Sequence, residues 1–474
     1  MLRAVPEKVR RNGDILFLGM RNLGFLLSGA PVILALAPLL SAAGYQAGVA
    51  TIVITPKEPI YLAGYGSRNH PSEGVALDLK AKALVIQDQS GQRTVIVTTD
   101  LIGLPRAIAD PVAARIEKTY NIERAHILLN SSHTHTGPLL AHNLSLMFDL
   151  DAHDREVVDL YSQHLADDLV TLVGTAVGNL APANLWFGNG QARFAMNRRE
   201  PTPTGIKLGV NPEGPTDPDV PVLKVTGADG SLRAILFGYA CHNTTLTGEF
   251  YKISGDYAGF AQRDIEKARP SATAMFLMLC GGDQNPEPRG TLELAQQHGA
   301  ALAADVMAVL AGKMQPVRGP VRAAFQVVDL DFASHTRETF ESRLQDSNPV
   351  RVRHAKAMLK TYDEGQPIRH YSYPVEAIAF GKDLTVLALG GEVVVDYALR
   401  VKKEYGSKGI IVAAYSNDVM SYIPTRRVLK EGGYEADQSM LYYGQPGPYA
   451  EDVEDRIFDT IRKVMVRVNR KPAS

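Results

Sequence analysis

The sequence predicts an α/β fold in which mixed β-sheets are flanked by helices. Three observations carry that expectation. Short strand-like runs alternate with longer helical patterns along the chain. Many of these runs are apolar throughout, as strands are when both sheet faces are covered. At 82–99 and 220–240 two runs follow each other with no helix between, which calls for antiparallel pairing within the sheet.

In chain order the strand candidates are VATIVIT (49–55), KALVIQD (82–88), TVIVTTD (94–100), AHILLN (125–130), VPVLKV (220–225), LRAILFGYA (232–240), TAMFLML (273–279), AAFQVVDLDF (323–332), LTVLALGG (384–391) and GIIVAAYS (409–416). Each is rich in branched or aromatic residues and ends at polar or turn-forming ones. Helical spacing falls near 106–120, 155–178, 257–269, 291–312, 336–362 and 449–467. No repeat or low-complexity linker divides the chain, so residues 48–474 read as one domain.

The N-terminus reads differently. MLRAVPEKVRRNGDILFLGMRN is basic, and LGFLLSGAPVILALAPLLSAA (23–43) is apolar and charge-free, with small residues at its end. That order describes a signal peptide or export segment over 1–47, with cleavage near Ala43 or Ala47 and Met20 as an alternative start. The expected location is secreted or periplasmic. An uncleaved anchor helix is the alternative, since the run is long enough to span a bilayer.

Composition narrows the function. With a formal net charge of −1, no nucleic-acid partner and no electrostatic membrane anchor is expected. Two cysteines, Cys241 and Cys280, exclude a disulfide scaffold and a cysteine-rich metal site; both end apolar runs and read as buried thiols, with one disulfide between them as the alternative. No G-x-S-x-G elbow, P-loop or G-x-G-x-x-G is present, so serine hydrolase, nucleotide hydrolase and nicotinamide chemistry lack support.

The positive signal lies at strand ends, where α/β folds gather their sites. Six apolar runs finish at a polar group: Asp100, the pair His133 and His135, His242, GGDQNP (281–286), Glu392, and a stretch leading to Tyr422. Histidine nitrogen and carboxylate oxygen suit zinc, and His133, His242 and Glu392 form a three-ligand set with a position left for water or substrate. His133 and His135, two apart, share a face if the backbone is extended; spacing alone does not say which binds metal. GGDQNP has a structural reading as well: glycines for freedom, Asp283 and Asn285 for turn hydrogen bonds.

Those residues also resemble a known family. SHTHTGP is similar to the HTHSGP segment of neutral (alkaline, non-lysosomal) ceramidases, which are zinc-dependent amidases. In the same order, MNRRE (196–200) resembles their Asn-Arg segment and GYACHNTT (238–245) their second histidine segment. GGDQNP resembles their Gly-Asp-x-Ser-Pro turn, and GGEVVVDYALR (390–400) the segment with a glutamate ligand. SNDVMSYIPTRRVLKEGGYEA (416–436) resembles their Asn-x-x-x-x-Tyr-Ile-x-Thr stretch, which ends in Tyr-Glu. The resemblance implies one zinc ion per chain on His133, His242, Glu392 and Tyr422, with His135, Arg198 and Tyr434 facing the substrate or its oxyanion.

Two departures qualify the match. The family's nucleophilic serine falls at Asn285, whose amide is no nucleophile, and the chain ends at Ser474 without the family's C-terminal immunoglobulin-like domain. The expected function is therefore an exported zinc hydrolase in which zinc-bound hydroxide attacks an amide of a small molecule or N-acyl lipid such as ceramide. His135 or Asp283 serves as acid or base, and Asn285, Arg198 and Tyr434 donate to the oxyanion. The alternatives are an esterase on the same fold, a non-catalytic metal-binding or scaffolding homologue, and an enzyme using Ser131, Ser132 or Thr134 as nucleophile. Peripheral membrane contact is compatible with a lipid substrate; the oligomeric state is not addressed by sequence.

Overall fold

In a computed structural model, residues 44–473 are described, Ser145 excepted, and all belong to one compact unit. The expected export segment lies outside the described residues apart from 44–47. The first strand starts earlier than its pattern suggests. It runs Tyr45–Val53, and Tyr45, Gln46 and Ala47 pair with Ala183, Pro182 and Ala181.

The larger sheet orders its strands Thr273–Met278, Leu232–Tyr239, Asp219–Gly227, Ala181–Gln191, Tyr45–Val53, Lys80–Gln87, Arg93–Thr99 and Ile127–Ser131, with Gln315–Val317 added against Ala181–Gln191. It is mixed, as expected. The pairs at its two ends are parallel, Thr273–Met278 with Leu232–Tyr239 and Arg93–Thr99 with Ile127–Ser131, while the strands between pair antiparallel. A second sheet holds Val321–Asp331, His370–Phe380, Leu384–Leu389 and Ile410–Ala413, its last two strands parallel.

The apolar runs are explained by layering. In Lys80–Gln87, Leu84 and Ile86 face one core while Ala83 and Val85 face another. In Leu384–Leu389, Val386 and Ala388 face the first core and Leu387 and Leu389 a third. The shared core lies between the two sheets. Helices Arg106–Tyr120 and Ala152–Gly178 cover one part of the larger sheet's outer face, and Asp256–Ala268 and Leu292–Ala311 another. Val395–Tyr405 and Val453–Arg467 cover the second sheet. The architecture is helix, sheet, sheet, helix.

Two expectations need correction. The pattern at 336–362 is not one helix but two, Arg337–Glu341 and Pro349–Asp363; the second begins at Pro349 because the residue before a proline is disfavoured in helical backbone, and the Asn348 side chain caps it by accepting from the Val350 N–H. The helix Val395–Tyr405 and the hairpin Ala195–Thr202/Gly205–Asn211 are absent from the sequence pattern above. No described helix is long and apolar enough to cross a membrane.

Candidate metal centre and its cavity

The histidine run does not leave its strand in extended form. The strand ends at Ser131, and His133 takes a left-handed φ of 63°, a conformation that costs a non-glycine residue strain and collects at functional sites. The turn is held by the His133 N–H on the Leu101 carbonyl at 2.9 Å. Thr134 then bridges in parallel to Asn243, and the His135 N–H meets the Asn243 carbonyl at 3.2 Å. His133, His135 and His242 are thereby laid side by side. The expected common face of two extended residues is replaced by a turn and a bridge that reach the same end.

The rings are aimed by backbone carbonyls. His133 Nδ1 lies 2.6 Å from the Ile102 oxygen and His242 Nδ1 2.7 Å from the Gly281 oxygen. Each Nδ1 therefore carries the proton, and each Nε2 turns a lone pair inward. Glu392 Oε2 sits 3.0 Å from His133 Nε2 and 3.1 Å from His242 Nε2. Tyr422 OH is 3.2 Å from His242 Nε2. Glu392 and Tyr422 are themselves Cα partners in a two-residue parallel pairing, Glu392–Val393 with Tyr422–Ile423, so one short ladder sets both. Gly282 lets that ladder approach: a Cβ there would lie 2.6 Å from the Glu392 carbonyl oxygen.

This donor set fits a cation. Three acceptors, two imidazole lone pairs and a carboxylate oxygen, cannot satisfy one another, and all three are buried. Ligands at 2.0–2.2 Å from one ion in a tetrahedron stand roughly 3.3–3.6 Å apart, near the separations seen. Nε2 of His135 is 3.1 Å from that of His133, so the three histidines can also offer nitrogens within 4.8 Å of one another. His135 Nδ1 has no partner and faces Gly64, where a Cβ would come within 2.3 Å of it. Electrostatics agree. Burial and the Arg198 charge push the His242 imidazole down to about 3. Burial, then the other two rings, lowers His135 well below its usual range. Burial alone would raise Glu392, but His133 and His242 hold its carboxyl well below the ordinary carboxylate range.

Arg198 organises the other side. Its Nη2 donates to Tyr422 OH at 2.9 Å, its Nη1 to Asn285 Oδ1 at 3.3 Å and its Nε to Glu435 Oε1 at 2.8 Å. Thr244 Oγ1 donates to the same Asn285 Oδ1 at 3.3 Å. With two donors on its oxygen, the Asn285 amide is assigned with its NH₂ free. Tyr434 lines the opening, its ring 5.4 Å from that of Tyr422. The cavity above the cluster has a volume of about 500 Å³ and is bordered by His135, Arg198, Thr244, Asn285, Tyr422 and Tyr434 among others.

Two strand ends supply structure, not site. Asp283 does not border the cavity. Its Oδ1 accepts the Val395 N–H at 2.8 Å, at the start of helix Val395–Tyr405, and its Oδ2 accepts from Asn197 at 3.2 Å. Burial pushes its carboxyl up to about 7, but it is a helix anchor rather than a group placed for proton transfer to substrate. Asp100 accepts the Lys80 N–H and a Gln262 donor, both at 2.9 Å. The alternative nucleophiles are also occupied elsewhere: Ser131 Oγ meets Thr99 Oγ1 at 2.9 Å, Thr134 Oγ1 donates to the Ser254 oxygen at 2.8 Å, and neither these nor Ser132 border the cavity.

Sequence reasoning missed Tyr443, whose OH donates to Glu392 Oε1. It also missed Thr244, and Glu435, which joins Arg198 to Arg199. The Tyr-Glu ending of the 416–436 segment was a signal for Glu435; nothing local marks Tyr443 or Thr244.

A family model described as neutral/alkaline non-lysosomal ceramidase, N-terminal, matches residues 45–278. The neutral ceramidase of Pseudomonas aeruginosa is 27% identical over 262 residues, 51% of this chain and 37% of that protein. The neutral ceramidase of Mycobacterium tuberculosis is 24% identical over 305 residues, 57% of this chain and 46% of that protein. The matches thus span less than half the length of these relatives. Among solved structures, the neutral ceramidase from Pseudomonas aeruginosa superposes with a TM-score of 0.68 at 20% identity, covering 91% of this chain and 76% of that one. A ceramidase complexed with C2 superposes at 0.70 and 18% identity, with the same coverage.

Proposed function

Because the chain belongs to the neutral/alkaline non-lysosomal ceramidase family, we propose that it is a metal-dependent amidase acting on an N-acyl compound of the ceramide-like class. The observation that carries this reading is the convergence of His133, His242 and Glu392 on one point beneath a cavity. His133, His242, Glu392 and Tyr422 would hold the ion, and nitrogen–oxygen sets of this kind favour zinc. Bound there, zinc supplies Lewis acidity and a water acidified to near neutrality.

The chain's own groups then account for the rest. Asn285 stands where a hydroxyl nucleophile is expected, so the attacking oxygen is water's. Its bond to the carbonyl carbon forms, the carbon–nitrogen bond breaks, and a water proton ends on the leaving nitrogen. His135, bordering the cavity with a neutral ring, is the group placed to carry that proton. The free NH₂ of Asn285, the Arg198 guanidinium and the Tyr434 hydroxyl are the donors for the developing oxyanion. The nearness of the three histidine nitrogens favours a second arrangement, with His135 as a ligand and Tyr422 outside the set.

The test is a panel of amides and esters assayed before and after chelation, with metal content measured in Tyr422→Phe and His135→Ala. Amide turnover lost on chelation and restored by zinc supports the reading; turnover that survives complete metal removal overturns it. Metal loss in His135→Ala but not in Tyr422→Phe selects the second arrangement. We further propose export, with processing before Tyr45, since Tyr45 is buried and paired in the sheet. N-terminal sequencing of the mature protein checks it; a start after Ala47 rejects that position.

A further inference from the structure

The amidase reading leaves the amine half of the substrate open, and the cavity's charges address it. Arg198 has its charge met by Glu435. Two other charged side chains border the same cavity, Glu287 and Arg289, both half-buried, and neither forms an ion pair with another described residue. Among the described residues the one hydrogen-bond partner of the Arg289 side chain is the Tyr65 hydroxyl, at 3.5 Å. They follow Asn285 by two and four residues on one short loop, so they lie beside the group that faces the scissile carbonyl, within about 7 and 14 Å of backbone. The aliphatic lining is slight: Met147, Leu208 and Val210.

One cation and one anion held apart in a cavity match a ligand with both charges. Amide hydrolysis makes such a ligand when the amine half bears a carboxylate: the freed nitrogen takes a proton and the product is an aminocarboxylate. We infer that loop 287–289 is an aminocarboxylate subsite, Arg289 holding the substrate's carboxylate and Glu287 receiving the ammonium formed on cleavage, so that the preferred substrate is an N-acyl amino acid. This inference rests on the amidase reading.

The test uses the zinc-loaded full chain with N-octanoylglycine and N-octanoylethanolamine, which differ in that carboxylate. The glycine amide is expected to have the higher kcat/KM. The ratio of the two should fall about 10- to 100-fold in Arg289→Gln, the span of one charge-assisted contact, and largely recover in Arg289→Lys. Free glycine should inhibit competitively, with a Ki raised in Glu287→Gln. A preference for the ethanolamide, or a ratio that Arg289→Gln leaves unchanged, overturns the subsite while the amidase reading stands. If neither amide is cleaved, the amidase reading is left to the wider panel of amides and esters, and calorimetric binding of N-octanoylglycine to the wild type and Arg289→Gln decides the subsite alone: tighter binding to the wild type supports it and equal binding overturns it.

Discussion

Asn285 shows how far one side chain redirects a site. Two donors hold its oxygen, so it offers hydrogens to the cavity instead of an electron pair. Asn285→Ala should lower kcat roughly 10²–10³-fold with a smaller change in KM, the cost of one oxyanion donor, read in steady-state kinetics. Elsewhere, Glu376 is fully buried with Oε1 unpartnered and Oε2 accepting from Asn417 at 2.6 Å. Burial pushes its carboxyl up to about 8. The unfolded chain releases this proton near its ordinary value while the folded chain keeps it, so stability falls as pH rises from about 4.5 to 8. Glu376→Gln removes that slope: denaturation midpoints should match the wild type near pH 4.5 and exceed it at pH 8. The place of Asn285 was readable from the family resemblance; the burial of Glu376 was not legible locally. His133, His242 and Glu392 could be read as ligands because each follows an apolar run, whereas Asp283 follows one equally well and anchors a helix. The difference lies in which way a turn faces, and that is a tertiary fact.

Short elements do much of the positioning. The pairing of Glu392–Val393 with Tyr422–Ile423 is two residues long, yet it sets two of the four proposed ligands. Gly282→Ala would force its Cβ against the carbonyl oxygens of Glu392 and Val393, at 2.6 and 2.8 Å, and displace that ladder. Metal affinity should drop about 10- to 100-fold, the range for disturbed ligand support, measured by competition with a chelating dye. The π-helical turn Tyr434–Gln438 carries Glu435, buried between Arg198 and Arg199. Glu435→Gln leaves Arg198 without a counter-charge and Arg199 with Glu431 alone, and should cost about 3–5 kcal/mol, seen in urea unfolding. Arg106–Tyr120 matches its sequence pattern to the residue, and the long helices Ala152–Gly178, Asp256–Ala268, Leu292–Ala311 and Val453–Arg467 differ from theirs only at the ends. Val395–Tyr405 went unread because its eleven residues follow a strand almost at once, and the hairpin that carries Arg198 because Ala195–Thr202 is mostly polar and the apolar alternation of its partner is only three residues long, Ile206, Leu208 and Val210.

Across the molecule, the centre joins segments attached to both sheets: His133 and His242 follow strands of the larger one, Glu392 and Tyr422 strands of the second. A metal held there ties the two layers and binds only the folded chain. Removing it should therefore lower the melting temperature, by an amount equivalent to about 2.7 kcal/mol when free metal had stood at a hundred times its Kd; differential scanning calorimetry with and without chelator reads this. The fold class was legible because layering leaves its mark on the apolar strands that were read, although Ala181–Gln191 and His370–Phe380 were not among them, while the site needed residues that pattern cannot bring together. That separation has a temporal meaning. The proposed ligands span about 290 residues, and Tyr443 follows later still. At 5–20 residues per second a ribosome takes roughly 15–60 s between the first ligand and the last. A nascent chain cannot complete the set until Tyr422 has emerged, so metal uptake would report that synthesis has passed that point, and chains terminated before it would leave the ribosome with ligands they cannot use.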